Sequence, residues 1–218
     1  MCGRFSLNTS AKDLAHQFKL IAEPEWDARF NIAPTQNALM IAAHADGRLA
    51  QAATWGFQPP WLKDGASGKV LINARAETAA KKATFADAFR SQRCLVPASN
   101  FFEWQTQGGQ KLPWLLHLPD MPVFAMAGLW QQQETGPRFT VLTLASCGEA
   151  QSVHHRMPWI LPTDKMEDWL NGSSGDIPEP EQTLGAQLQK YRVTPNVNKV
   201  AFESPECLLP VADEGLLF

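Results

Sequence analysis

Apolar and polar positions change rhythm along the chain, and the rhythm sorts it into elements. Ser10 with Asp13 reads as a capping box, and the helix-like stretch AKDLAHQFKL follows it. Residues 38–43 (ALMIAA) and 48–55 (RLAQAATW) read as strands, joined through Ala45-Asp46-Gly47 as a hairpin. GFQPPWLKDGASGK, with two prolines, three glycines and one large aromatic, reads as an exposed loop. VLINARAET predicts a strand with a polar exit, and Thr84 with Asp87 predicts the cap of a second helix through about Arg90.

Beyond that helix the pattern is β. RCLVPA, PWLLHL, VFAMAGLW and FTVLTLA are short apolar or alternating runs, separated by turn material such as QTQGGQK and QQQETGPR. Thr163 predicts a helix cap, with the helix running through Leu170 and closed by Gly172. NGSSGDIPEPEQ reads as a loop, and short strands are expected near Tyr191–Val193 and Leu208–Val211. Many short strands with few helices predict an α+β protein: one domain over residues 1–218, with an antiparallel, barrel-like β core and a few flanking helices. The part from about residue 171 is expected to be loop-rich and to pack on that core.

Composition narrows the function classes. The 218 residues are 44% hydrophobic and carry a net charge of −3, which argues against coating duplex DNA through charge alone. No apolar run nears the ~20 residues that span a bilayer. The start, MCGRFSLNTSAKD, lacks an apolar h-region, so the expectation is a cytoplasmic protein without a signal peptide. Cys2, Cys94, Cys147 and Cys207 form no C-x-x-C pair, so neither a zinc site nor a dithiol pair is expected, and their wide spacing argues against disulfides.

Five places carry candidate chemistry. Met1 before a small residue is normally trimmed, which would leave Cys2 with a thiol and a primary amine on adjacent carbons. An α-amino group with an unperturbed pKa of about 7.7–8.0 is partly neutral near pH 7. It can attack an aldehyde to give a Schiff base, and the thiol can then close a thiazolidine ring. The same residue could attack an amide, as amino-terminal nucleophile hydrolases do, or could simply be the second residue. Glu103, in LVPASNFFEWQ, is either desolvated among aromatics or an outward residue of an alternating strand. His154 and His155 sit where a loop follows FTVLTLA, a good place for acid–base work and also for a merely solvated histidine. Asn73 and Arg75 share one face of LINARAE and could meet a phosphate or sugar oxygen, or form the polar side of an edge strand. Arg4, Arg29, Arg75 and Arg156 lie in or beside these segments, and Trp61 is the tryptophan expected to be exposed for base stacking.

Taken in order, MCGRF, ARFNIAPTQ (28–36), WGFQPPW (55–61), LINARAET (71–78), RCLVPASNFFEW (93–104), VHHRMPWIL (153–161) and VTPNVNKV (193–200) form a specific set. Over nearly the whole chain this resembles the SRAP family, the SOS-response-associated peptidase-like abasic-site processing proteins. The resemblance implies covalent capture of the ring-opened aldehyde of an abasic site in single-stranded DNA, as a thiazolidine DNA–protein crosslink that shields the lesion from cleavage during the response to DNA damage. It implies Cys2 as nucleophile, Asn73 positioning the amine and sugar, Glu103 orienting the amine and moving protons, and His154 as acid–base catalyst. Arg4, Asn31, Trp61, Arg75 and Arg156 would line the DNA groove. No metal and no organic cofactor is implied, and a monomer is expected. The sequence departs from the family pattern at His155, where Asp is usual, at Phe102 for a frequent Tyr, at Leu62 for a second aromatic, and at Asn100, where a turn glycine is common and left-handed backbone is expected.

Three readings compete: covalent capture of abasic sites, a cysteine peptidase or amidase with possible lyase chemistry on the same amino terminus, and a single-stranded DNA-binding module without chemistry. A local arginine cluster predicts binding that weakens steeply with salt.

Overall fold

The computed structural model describes residues 2–59, 70–172 and 178–211. β1 (Phe5–Leu7) leads to α1 (Ala11–Phe18), β2 (Arg29–Ile32), the hairpin β3 (Asn37–His44) and β4 (Gly47–Trp55), and β5 (Asn73–Arg75). The short helices α2 (Ala76–Ala79) and α3 (Ala86–Ser91) precede β6 (Arg93–Ala98), β7 (Asn100–Gln107), β8 (Gln110–His117), β9 (Phe124–Gln133) and β10 (Gly136–Ala145). Then come α4 (Gly148–Gln151), β11 (Arg156–Pro158), β12 (Ile160–Leu161), α5 (Met166–Leu170) and β13 (Gln189–Arg192), with 3-10 turns at Pro195–Asn198 and Pro205–Leu208 after them.

The larger sheet curls back on itself. β4, β3, β6, β9 and β10 pair in succession, and β10 pairs again with β4, giving a barrel-like ring. Most of its pairs are antiparallel, as the short apolar runs predict. The exceptions are the parallel pairs that β10 makes with β4 (Phe139↔Trp55) and with β5 (Val141↔Asn73, Thr143↔Arg75). β10 can serve both because β4 ends where β5 begins along it. β11 lies antiparallel to its last residues, Thr143–Ala145. Close strand approach inside the ring requires Gly128, where a Cβ would stand 2.8 Å from Cys94 Sγ and 3.2 Å from the Thr140 carbonyl oxygen.

The second sheet runs β13-β8-β7-β1-β2, so the first strand of the chain lies between two others. It is buried on both faces. Phe5, Phe101 and Leu116 belong to the main core, while Phe102, Leu115, Val193, Val197 and Cys207 form a second cluster beneath the C-terminal turns. Alternation along β7 therefore sorts one core from another, not core from solvent.

Local departures have local causes. Ser10 caps α1 as expected, its Oγ accepting from the Asp13 amide at 3.1 Å. Thr84 caps nothing: α3 starts from Phe85, and the polar exit of LINARAET is itself the helical turn α2. Thr163 opens a 3-10 turn that runs into α5, without a side-chain cap. Tyr191 lies in β13, but Leu208 ends a 3-10 turn, and only Pro210 forms an isolated bridge, with Val193. Asn100 is buried β-strand, not left-handed backbone.

Candidate functional site

β1, β5, β7 and the loop into β11 deliver the four predicted chemical groups to one end of the fold. Cys2, just ahead of β1, is fully buried. Its Sγ points at the Arg4 carbonyl oxygen, 3.9 Å away. Asn73, the first residue of β5, reaches across and donates from Nδ2 to the Cys2 carbonyl oxygen at 2.7 Å. The Asn73 Oδ1 atom is buried and has no partner among the described residues. The parallel pairing of β5 with β10 holds the start of β5 in place, with Asn73 opposite Val141, and the side chain of that first residue reaches the amino-terminal segment.

Glu103 is 3% exposed and sits on the Phe101 face of β7. Burial pushes its carboxyl above the ordinary carboxylate range, while the Trp104 amide and His155 pull it back. Burial, and then the Glu103 carboxylate, pushes the Cys2 thiol far above its usual value, so the sulfur stays protonated near neutrality.

His154 is half-buried and its Nδ1 is bracketed by the backbone of one residue. The Arg156 amide donates to it at 3.0 Å and the Arg156 carbonyl oxygen lies at 3.1 Å. Either tautomer therefore keeps a backbone partner. Burial lowers the basicity of His154, and the Arg156 backbone opposes that shift. The exposed His155 ring stacks on His154 with centroids 4.2 Å apart and planes 30° apart. His154 is the main reason that protonation of His155 is depressed.

An open groove of about 480 Å³ is lined by Arg4, Glu103, Trp104, Thr106, Lys111, His154 and Asn198. Arg4 is 8% exposed, and its Nη1 donates to Asn31 Oδ1 at 2.9 Å and to the Val197 carbonyl at 2.8 Å. Asn31 is fully buried and donates from Nδ2 to the carbonyls of Val197, Lys199 and Phe202 at 3.3, 3.2 and 2.8 Å. Glu203 receives the amides of Phe30 and Asn31 and an ion pair from Arg29 at 2.9 Å. Arg4 and Asn31 thus clamp the C-terminal turns against β1 and β2. Arg156 forks onto Glu77, at 2.6 and 2.9 Å. Arg75 is exposed at the end of β5. Trp61 lies outside the described residues.

Glu77, Glu203 and Val197 were not singled out from the sequence. Each acts on a partner 79 to 193 positions away, so no local spacing signals it. Among the described residues, no cluster of three or more His, Cys, Asp or Glu side chains is placed to hold a metal ion. Nor is any helix among them long and apolar enough to cross a membrane.

A mostly antiparallel ring with a buried cysteine at position 2, an asparagine on its carbonyl, and Glu103 and His154 lining one groove defines a class. The chain belongs to the SOS response associated peptidase (SRAP) family, whose model matches residues 1–200. It is 34% identical to the abasic site processing protein YoqW of Bacillus subtilis over 222 residues, covering 95% of this chain and 99% of YoqW. It is 28% identical to the abasic site processing protein YedK of Escherichia coli, covering 97% of this chain and 100% of YedK. A solved structure of a Bacteroides thetaiotaomicron protein shares the fold, with a TM-score of 0.81 at 22% identity over 97% of this chain and 100% of that one.

Proposed function

We propose that this protein captures abasic sites in single-stranded DNA by forming a thiazolidine between Cys2 and the ring-opened sugar. The observation that carries the reading is the 2.7 Å bond from Asn73 Nδ2 to the Cys2 carbonyl, made beside a buried Glu103. It fixes the second residue of the chain, whose amine becomes reactive once Met1 is removed. The relatives' names, abasic site processing proteins, supply the substrate.

The chemistry balances with these residues alone. The closed sugar opens when a proton leaves the anomeric hydroxyl and one reaches the ring oxygen, a transfer suited to His154 at the groove. The Cys2 amine adds to the aldehyde carbon, and loss of water gives an imine. The sulfhydryl then adds across the C=N bond: sulfur bonds to carbon and nitrogen regains a proton. Glu103, its affinity for protons raised by burial, takes a proton from the ammonium and returns one to the departing hydroxyl. Asn73 Oδ1 remains to accept from the amine or a sugar hydroxyl.

The protonated, buried thiol favours amine-first capture over hydrolysis. Burial and Glu103 disfavour the thiolate that a sulfur-first hydrolase uses, whereas an amine that attacks first leaves the sulfur protonated until ring closure. Lys111, exposed on the groove, and Arg75, exposed at the end of β5, are cations open to the strand, with Arg4 and Asn31 supporting the groove's floor, and the active species is a monomer.

The test is a denaturing gel after incubation with uracil-containing single-stranded DNA pretreated with uracil glycosylase. The protein should give a shifted band without reductant. Cys2→Ala keeps an amine, so it should give a band only when borohydride traps the imine. No band with the unaltered protein, or an equal reductant-free band with Cys2→Ala, overturns the proposal.

A further inference from the structure

We propose that His155 is a stacking platform for the base beside the abasic site, on the side of the strand that runs towards Arg75. The proposal rests on the reading of the groove as the seat of an abasic site in single-stranded DNA.

His155 is exposed, yet its ring is braced. One face lies against His154, with centroids 4.2 Å apart and planes 30° apart. His154 is itself pinned at Nδ1 by the Arg156 amide, at 3.0 Å. The backbone beneath is tied to the larger sheet. The Ser146 amide donates to the His155 carbonyl at 3.1 Å, and Arg156, the next residue, pairs with Ala145 of β10. With one face on His154 and the residue exposed, the opposite face of the His155 ring is a flat surface open to a ligand. A ring held in place before contact loses little side-chain freedom when a base settles on it.

The ring lies within reach of both places that the strand would occupy. One is the groove, lined by His154 and Glu103. Burial pushes the Glu103 carboxyl up, and His155 is among the charges that draw it back. The other is Arg75. β5 and β11 flank the end of β10 on its two edges, with Thr143 opposite Arg75 and Ala145 opposite Arg156, two sheet spacings or about 10 Å apart across it. A strand with its sugar in the groove and a phosphate on Arg75 has a neighbouring base to place, and the His155 ring is the flat surface at hand. The charge state of that ring favours a base over a phosphate. His154 above all, with Arg156 and Arg75 among the lesser causes, disfavours the protonated form of His155. Near neutral pH the ring is uncharged, a poor partner for a phosphate and a good one for the π-face of an unpaired base. Stacking grows with shared ring area, so a purine gains more from this contact than a pyrimidine.

The experiment uses single strands that carry a tetrahydrofuran residue, an abasic analogue without an aldehyde, so that binding is read apart from crosslinking. Fluorescence anisotropy gives the half-saturating concentration with adenine or with thymine on both sides of the analogue, for the unaltered protein, His155→Ala and His155→Phe. With adenine neighbours, His155→Ala should weaken binding roughly 5-fold, the low end of what one stacked base contributes. With thymine neighbours the loss should be clearly smaller. His155→Phe keeps a flat ring and should restore most of the affinity. In a second arm, 2-aminopurine replaces the base on one side of the analogue or the other. Its fluorescence should be quenched by the unaltered protein at one of the two positions, and His155→Ala should abolish that quenching.

Equal losses with adenine and thymine would overturn the proposal, because they mark a general disturbance of the loop. So would a His155→Phe variant as weak as His155→Ala, or the lack of any His155-dependent quenching at either position. Crosslinking of an aldehyde-bearing strand by the unaltered protein runs alongside. Its failure would remove the functional reading, while anisotropy and quenching on the tetrahydrofuran strand would still decide the role of His155.

Discussion

At the residue scale, Glu103 bears the conflict between stability and chemistry. Its carboxyl is buried and binds protons more tightly than an ordinary glutamate does. A group of this kind is easiest to bury while protonated. Its contribution is therefore most favourable below the usual carboxylate range and is lost as pH rises through the raised value. Glu103→Gln removes that penalty. The variant should melt roughly 2–4 °C higher at pH 8, the shift that about 1 kcal/mol produces in a chain of this size, and show no gain at pH 4 in thermal melts. It should also lose roughly 100-fold in crosslinking rate, measured on the abasic strand. A variant both less stable at pH 8 and fully active would contradict the assignment. Its sequence context could not settle Glu103, because the choice between outward and desolvated depends on what covers β7. Residues 193–207 cover its Phe102 face with sparse apolar positions that do not announce a second core, and this leaves the Phe101 face, with Glu103, turned to the main one.

At the element scale, strands with clear alternation or apolar runs were legible. The β3–β4 hairpin, β6, β8, β9 and β10 fall where the pattern puts them. Elements set by partners far along the chain were not. LINARAET shortens to a three-residue strand and one helical turn because β10 offers β5 only a short parallel edge beyond β4. The motif residues were legible as a set, yet their division of labour was not. Asn73, Glu103 and His154 gather near Cys2, whereas Arg4 and Asn31 turn inward onto carbonyls of the C-terminal turns. Asn31→Ala takes one acceptor from the Arg4 guanidinium, which keeps the Val197 carbonyl, and one donor from each of three carbonyl oxygens that keep a second partner. It should cost about 1–3 kcal/mol in urea unfolding, the range for buried polar groups that lose a partner. Limited proteolysis should show residues 194–211 opening first. An unchanged urea midpoint would mean the clamp contributes nothing.

At the scale of the whole molecule, the charge reading changes. Four arginines in or beside the motifs predict a steep response to salt. The fold commits three of them elsewhere: Arg29 to Glu203, Arg156 to Glu77, and Arg4 to Asn31 and Val197. With net charge −3, Arg75 the one of the four left exposed and Lys111 exposed on the groove, about two phosphates are neutralised by these side chains. Reversible binding of intact single strands, followed by fluorescence anisotropy, should show a log–log salt slope of about −1 to −2, at ~0.7 per neutralised phosphate, and not the steeper value four contacts would give. The same economy bears on when the site comes into being. Arg4 rests on the carbonyl of Val197, 193 positions later, and β1 needs β7 beside it. During synthesis the first residues emerge long before their supports, so the enclosure around Cys2 can close only once Val197 has left the ribosome. Until then an aminothiol freed of Met1, which needs no pocket to condense with a small aldehyde, stands open to any that diffuses past.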